Sequence, residues 1–322
     1  MLSEILQKSF AIGIPMNLLC KLKQWIHTNR ESAWKLGILV DGFDDLKHGK
    51  IRFISNGAYE GKKWFADPFI LSFDENLIFA LVEEYDYAIN RGRLAKITIN
   101  RSSWTIEDCS VILDLPTHLS FPVIYRRDDK IFVCPENNCG SSFDLYEFDN
   151  NSCSLKKIKQ ISKERFTDAI IYKQDDLYYL LSTYEPTPNG NVLTIYQSAN
   201  FDGPYQKCDE IHFEDNTARN AGLIFEYQGK LIRPAQESNY SYGHGLVFQE
   251  VSCKNGKFSF NEISRFFSNH PKFKNGIHTY NEFNGLGIVD FKGYRNQFVG
   301  SFFNLIHVFL VKLCIKKEIR LK

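Results

Sequence analysis

The stretch Trp64-Phe-Ala-Asp67-Pro68-Phe-Ile-Leu-Ser-Phe-Asp-Glu-Asn-Leu-Ile-Phe-Ala-Leu-Val-Glu83-Glu84 reads as a β-hairpin. Two runs of β-branched and aromatic residues flank the polar turn Asp74-Glu75-Asn76. The hairpin carries Asp67, at the start of its first strand, to the same end as Glu83 and Glu84 at the close of its second. Successive side chains on a strand point to opposite faces, so only one of Glu83 and Glu84 can face the same way as Asp67.

The same design recurs along the chain. Aligned on Ile78, Ile131, Leu177, Leu231 and Leu286, the apolar second strands follow one another at intervals of 53, 46, 54 and 55 residues. Their turns are Asp128-Asp129-Lys130, Gln174-Asp175-Asp176, Gln228-Gly229-Lys230 and Asn284-Gly285, all residue types that reverse a hairpin. Further strands lie between the hairpins, for example residues 93–99 with 111–113 and 144–148 with 155–158. A period near fifty made only of strands predicts an all-β chain folded as a five-bladed β-propeller over residues 36–296. A pair of two-sheet sandwiches would not explain the recurring interval.

The ends read differently. In residues 1–35, Leu18, Leu19, Leu22, Trp25 and Ile26 share one face of a helix beside Lys21, Lys23 and Arg30. Such an amphipathic segment packs on the main domain or meets a membrane surface or partner. Residues 297–322 form a hydrophobic segment with a basic end, and His307 and Lys312 inside the apolar run argue against a membrane span. Lys312, Lys316, Lys317, Arg320 and Lys322 suit anionic headgroups; a strand or helix closing the propeller is the other reading. The first residues lack the pattern of a secretory leader. Eight cysteines without a C-x-x-C pair suit free thiols in a reducing cytoplasm and point to no zinc site. The expected location is therefore the cytoplasm, with peripheral contact at the inner face of the membrane through the basic ends.

Composition narrows the function. With 39 basic and 38 acidic residues the net charge is +1, and a nucleic-acid partner is not expected. The phosphate loop, the G-x-S-x-G elbow and the dinucleotide fingerprint are all missing, so no cofactor is expected.

In a propeller the innermost strands surround a central funnel, where polar side chains from several blades converge. The positions opening the first strand of each hairpin are Asp67, Phe121, Asp168, Ala221 and His278; those closing the second are Glu83, Glu136, Ser182, Gln236 and Asp290. Among Trp, Phe, Pro and Ile, a carboxylate costs several kcal/mol unless it is paired or used. Asp67, Glu136 and Asp168 are the candidate catalytic residues, because glycosidic chemistry needs one carboxyl to protonate a leaving oxygen and another to activate water or an acceptor hydroxyl. Asp67 and Asp168 could instead cap turns through backbone amides. Trp64, Glu83, His118, Arg219, Arg233, Gln236, Tyr242, His244 and His278 are candidate substrate contacts, with Arg219 or Arg233 alternatively neutralising the funnel acids. For His118 and His278 a structural hydrogen bond is the competing role, and for His244, flanked by glycines, a place in a turn.

Five motifs in order carry a resemblance. They are Trp64-Phe-Ala-Asp67-Pro68-Phe; His118-Leu-Ser-Phe-Pro122 with Pro135-Glu136-Asn; Phe166-Thr-Asp168-Ala; Ala218-Arg219-Asn-Ala-Gly222; and Leu231-Ile-Arg233-Pro-Ala-Gln236 followed by Tyr242-Gly243. Across residues 34 to 296 they resemble the propeller domain at the N-terminus of plant glucosamine inositolphosphorylceramide transferases and similar bacterial proteins of surface-polysaccharide synthesis. More distantly the chain is similar to the five-bladed glycoside hydrolases of families 43 and 32, where two Asp and one Glu on different blades form the site. Those hydrolases place the Glu after both Asp, whereas here the order is Asp67, Glu136, Asp168.

The resemblance implies a carbohydrate-active enzyme, a glycosyltransferase or glycoside hydrolase-like protein, acting on a glycan or sugar nucleotide in polysaccharide biosynthesis. In the plant proteins a glycosyltransferase-like domain lies downstream, so the alternative is a non-catalytic glycan-binding propeller serving a partner glycosyltransferase.

Overall fold

The computed structural model describes residues 31–302, apart from residues 139, 141, 185 and 255. The helix expected within residues 1–30 and the basic end beyond residue 302 lie outside the described residues. Trp34–Lys292 form one compact unit. Residues 31–33 and 293–302 belong to another, in which residues 297–302 are helical and Arg295 Nη1 stands 3.1 Å from the Glu31 carboxylate. Among the described residues no helix is long and apolar enough to cross a membrane.

The fold is a five-bladed β-propeller of four-stranded sheets. The chain begins with β1 (Ser32–Leu39), the short helix α1 (Gly42–Lys47) and β2 (Arg52–Phe53). Residues 32–35, expected to be helical, are strand instead. Blade 1 contains β3 (Lys63–Phe73), β4 (Leu77–Asp86), β5 (Arg91–Asn100) and β6 (Thr105–Leu113). Blade 2 contains β7 (His118–Arg127), β8 (Lys130–Asn138), β9 (Phe143–Asp149) and β10 (Ser154–Ser162). Blade 3 runs through β11 (Thr167–Gln174), β12 (Leu177–Thr183), β13 (Val192–Ser198) and β14 (Gln206–His212). Blade 4 follows with β15 (Phe225–Tyr227), β16 (Lys230–Glu237), β17 (Gly245–Lys254) and β18 (Lys257–Phe267).

Blade 5 has the order β19 (Tyr280–Phe283), β20 (Leu286–Tyr294), β1, β2. The first strands of the sequence thus complete its last blade. β1 and β2 supply the outer half of the blade that the fifth hairpin begins, and this pairing closes the ring.

The hairpin turns explain the recurrence. Asp128 and Asp129 both take positive φ, as do Gln228 with Gly229 and Asn284 with Gly285. That is the type I′ geometry whose twist matches the flanking strands. Middle strands such as β4 bury residues on both faces because neighbouring blades cover both sides. Outer strands are polar: β10 leaves Lys156, Lys157 and Lys159 exposed, which guards an open sheet edge.

Apolar cores fill the spaces between blades. Phe69, Leu81, Leu119, Phe121, Ile170 and Leu181 pack together, and Leu36, Ile38, Ile70, Ala80 and Ile288 form a second cluster where blades 5 and 1 meet. Each fully buried side chain of this size contributes about 1.5–3 kcal/mol.

One local feature repeats at the funnel. Ala66 pairs with Glu83 and Phe69 with Leu81, so Asp67-Pro68 stand opposite Val82 alone. Phe121-Pro122 and Asp168-Ala169 make the same two-against-one step in blades 2 and 3. These are β-bulges, and their first residues have φ of 48, 47 and 44°. A bulk such as Phe121 in that region costs roughly 1–3 kcal/mol, which its burial against Phe69 at 5.2 Å offsets. Bulges also accommodate Pro68 and Pro122, which could not sit in a regular ladder.

Candidate active site in the propeller funnel

A cavity of about 730 Å³ opens on the ends of blades 1 to 4. Asp67, Glu83, His118, Glu136, Arg219 and Tyr242, all singled out from the sequence, line it together with Ser120, Asn137, Arg165, Phe166, Thr167, Pro188 and Asn189. The bulges carry the opening residues to the inner rim, and the second strands end there with their carboxyls.

Asp67 is buried and held from two sides. Its Oδ2 accepts the Phe121 N–H at 3.1 Å, and its Oδ1 accepts the Thr279 hydroxyl at 2.8 Å. Burial raises its pKa to about 7; His278 pulls against this, while Asp168, Glu83 and Asp290 add to it. Glu136 Oε2 accepts the Asp168 N–H at 2.9 Å. Burial, and then the neighbouring Asp168 carboxyl, push Glu136 well above the usual carboxylate range against the pull of Arg219. The cavity therefore presents two carboxyls with raised proton affinity.

Asp168 stands behind this lining. Its Oδ2 accepts Arg219 Nε–H at 2.6 Å and Gln236 Nε2–H at 2.8 Å. Arg219 also lies 3.7 Å from Glu136, donates to Asn189 at 2.8 Å, and stacks its guanidinium 4.8 Å from the Tyr242 ring centre. One arginine thus ties both carboxyls of blades 2 and 3 to the wall contributed by blade 4.

On the blade 1 side, His118 Nε2 lies 2.9 Å from Glu83 Oε1, and its Nδ1 accepts the Gly92 N–H at 3.1 Å. Burial opposes charge on His118, but the Glu83 contact prevails and raises its pKa. Glu84 points the other way, to Lys63 and Arg93, as strand alternation requires. At the axis His278 stacks on Trp34 at 3.9 Å, and its Nδ1 lies 2.8 Å from Asp290. Asp67, His278 and Asp290, all strand-end positions of the aligned repeat, bring ligand atoms within 4.8 Å of one another, a grouping that could hold a cation.

Residues 52–288 match the family described as glucosamine inositolphosphorylceramide transferase 1, N-terminal. The chain belongs to this family. The ordered motifs read from the sequence pointed to the same place. A glucosamine inositolphosphorylceramide transferase 1 of Arabidopsis thaliana is 26% identical over 195 residues, covering 58% of this chain and 25% of that protein. Its counterpart in Oryza sativa subsp. japonica is 24% identical over 204 residues, covering 61% and 27%. The chain spans about a quarter of the length of these relatives. Similar solved structures include Zg3597, a family 117 glycoside hydrolase from Zobellia galactanivorans, at 8% identity, TM-score 0.49, and 82% and 91% coverage of this chain and that one. The GH43 protein BlXynB from Bacillus licheniformis is 14% identical with TM-score 0.46, covering 66% of this chain and 47% of that one.

In this member of the transferase N-terminal family, six of the twelve residues singled out from the sequence reach the cavity and six do not. Asp168, Gln236 and His278 are buried behind it, within the network that holds the lining. Trp64 supports the wall, stacked on Tyr85 at 4.6 Å. His244 lies outside the lining, with Nδ1 2.7 Å from Glu237.

Arg233 is fully buried, and its guanidinium donates to Asn220, Gln249 and the Ala218 carbonyl between Phe213 and Phe260. It neutralises no funnel acid. Residues that sequence reasoning missed follow two patterns. Ser120, Asn137, Phe166 and Thr167 stand within two residues of Phe121, Glu136 or Asp168, positions the alignment marks, whereas Arg165, Pro188 and Asn189 come from loops outside the repeat.

Proposed function

We propose that the funnel binds a glycan and acts on a glycosidic bond, with Glu136 as proton donor and Asp67 as the second carboxyl. The observation that carries this reading is the shared cavity: Asp67, Glu83 and Glu136, from two blades, open on one polar space beside Phe166 and Tyr242. Hydroxyls of a sugar suit the carboxyls, amides and arginine; its apolar face suits the rings. In the reaction Glu136 gives its proton to the leaving oxygen, and the second carboxyl takes a proton from the incoming hydroxyl, whether of water or of an acceptor sugar. Asp168 acts through Arg219 as a positioning residue. The family relatives, named as transferases, support a carbohydrate role. By the same proposal the chain serves cell-surface polysaccharide assembly in the cytoplasm, with its basic ends at the inner face of the membrane.

One observation favours a second reading, a glycan-binding propeller that serves a partner glycosyltransferase. Both oxygens of Asp67 are engaged by Phe121 and Thr279, a stitching role that needs no turnover. A panel of oligosaccharides and sugar nucleotides, tested for binding and for turnover with the natural chain and Asp67→Asn, separates the two. Turnover that falls in Asp67→Asn with binding retained supports the enzyme; binding in both proteins with turnover in neither supports the binding module.

A further inference from the structure

Beside the cavity, blade 4 carries aromatic rings that the fold does not use. Tyr240 is 85% exposed and Phe267 50% exposed. The His244 imidazole stands between them, its centre 5.2 Å from the Tyr240 ring and 4.9 Å from the Phe267 ring. Exposed rings gathered in this way mark a surface that something covers.

The histidine is held in place. Its Nδ1 lies 2.7 Å from Glu237 Oε2, and Glu237 is 1% exposed. The other Glu237 oxygen accepts the Asn239 backbone N–H at 3.1 Å and the Asn239 side-chain amide. A buried, fully engaged carboxylate thus fixes the orientation of a half-exposed imidazole, leaving Nε2 for a partner outside the chain.

Strand register places this cluster on the face that bears the cavity. Gln236 pairs with Leu246 and Glu237 with Gly245 across β16 and β17; Gly245 pairs with Phe267 across β17 and β18. Gln236 is the residue that bonds Asp168, so the ends of all three strands share the funnel face. The loop between Glu237 and Gly245 carries Tyr240 and His244 outward while its Tyr242 lines the cavity. Two strand spacings, about 10 Å, separate β16 from β18.

We propose that Tyr240, His244 and Phe267 form an outer sugar subsite, where a further residue of the glycan held in the cavity lies across the rings and hydrogen-bonds His244 Nε2. This inference rests on the glycan reading of the cavity. A sugar has an apolar face of C–H groups and a rim of hydroxyls, and the cluster offers the matching pair of an aromatic platform and an oriented nitrogen.

Calorimetric titration with glucose, mannose and galactose, and with their linear oligosaccharides, tests it on the whole chain, the Tyr240→Ala variant and the Phe267→Ser variant. Tyr240 is so exposed that its removal leaves the fold intact. The subsite predicts tighter binding of an oligosaccharide than of its monosaccharide, and a loss of about tenfold in the variants for the oligosaccharide alone. Equal oligosaccharide affinity in the variants and the natural chain overturns the subsite while leaving the cavity reading intact. A change in oligomeric state on size-exclusion, in place of a change in affinity, assigns the rings to a second copy and also overturns it. No sugar binding by the natural chain overturns the cavity reading and the subsite with it.

Discussion

The Asp290 carboxylate accepts the backbone N–H of Asp67 at 3.0 Å, joining the last blade to the first across 223 positions of sequence. Asp67 in turn accepts the N–H of Phe121, and Glu136 accepts that of Asp168. Carboxyls at the inner ends of blades 5, 1 and 2 each hold the bulged residue of the next blade. The polar groups of the candidate site are therefore also links of the ring, and stability and function are expected to change together when they are altered.

Asp290 is the strongest of these links, since it also accepts the N–H groups of His278 and Thr279 at 3.1 and 3.0 Å. Asp290→Ala leaves these buried donors without their acceptor. Urea denaturation is expected to show a loss of roughly 3–5 kcal/mol. A loss under about 1 kcal/mol would mean that the ring closes without this residue.

Arg219 holds two buried carboxyls, so its removal leaves Asp168 and Glu136 uncompensated. Arg219→Met is expected to cost about 3–5 kcal/mol, and adding Asp168→Asn should restore part of it. Additive losses in the double-mutant cycle would show that the contact at 2.6 Å carries no coupling.

Stability should also report the protonation of Asp67. Its folded pKa of about 7 lies above the ordinary value of 3.8, so the folded chain holds this proton where the unfolded chain has lost it. The contribution is full below the unfolded value and disappears as pH rises toward 7. Asp67→Asn should flatten the fall in denaturation midpoint between those pH values. An unchanged pH profile in the variant would assign the dependence to other groups.

Much of this was legible because the physics is local. Turn residues able to adopt positive φ recur with the hairpins, and the aligned strand ends named Asp67, Glu83, Glu136 and Asp290 before any contact was known. The make-up of blade 5 was not legible, since β1 and β2 precede the other blades and β2 is only two residues long. Arg233 shows a different failure. Gln236 stands at the funnel end of β16, whereas Arg233, three residues earlier, lies deeper along the strand, between Phe213 and Phe260. The three separate loop residues Arg165, Pro188 and Asn189 carry no repeat signal, because nothing in strand periodicity governs a loop.

That placement makes Arg233 a test of the site's boundary. Arg233→Met is expected to lower stability, since it breaks contacts with Asn220, Gln249 and Ala218. Folded protein should bind glycan as the natural chain does. A selective loss of affinity at unchanged stability would move this residue into the site.

The central claim is that Glu136 gives a proton to a leaving oxygen in the funnel. Turnover of the best-bound glycan or sugar nucleotide by the natural chain and by Glu136→Gln measures it most directly. The account predicts measurable turnover that falls by about 10²–10⁴-fold in Glu136→Gln while the ligand still binds. Equal turnover in the two proteins, or binding without turnover in the natural chain, would contradict it.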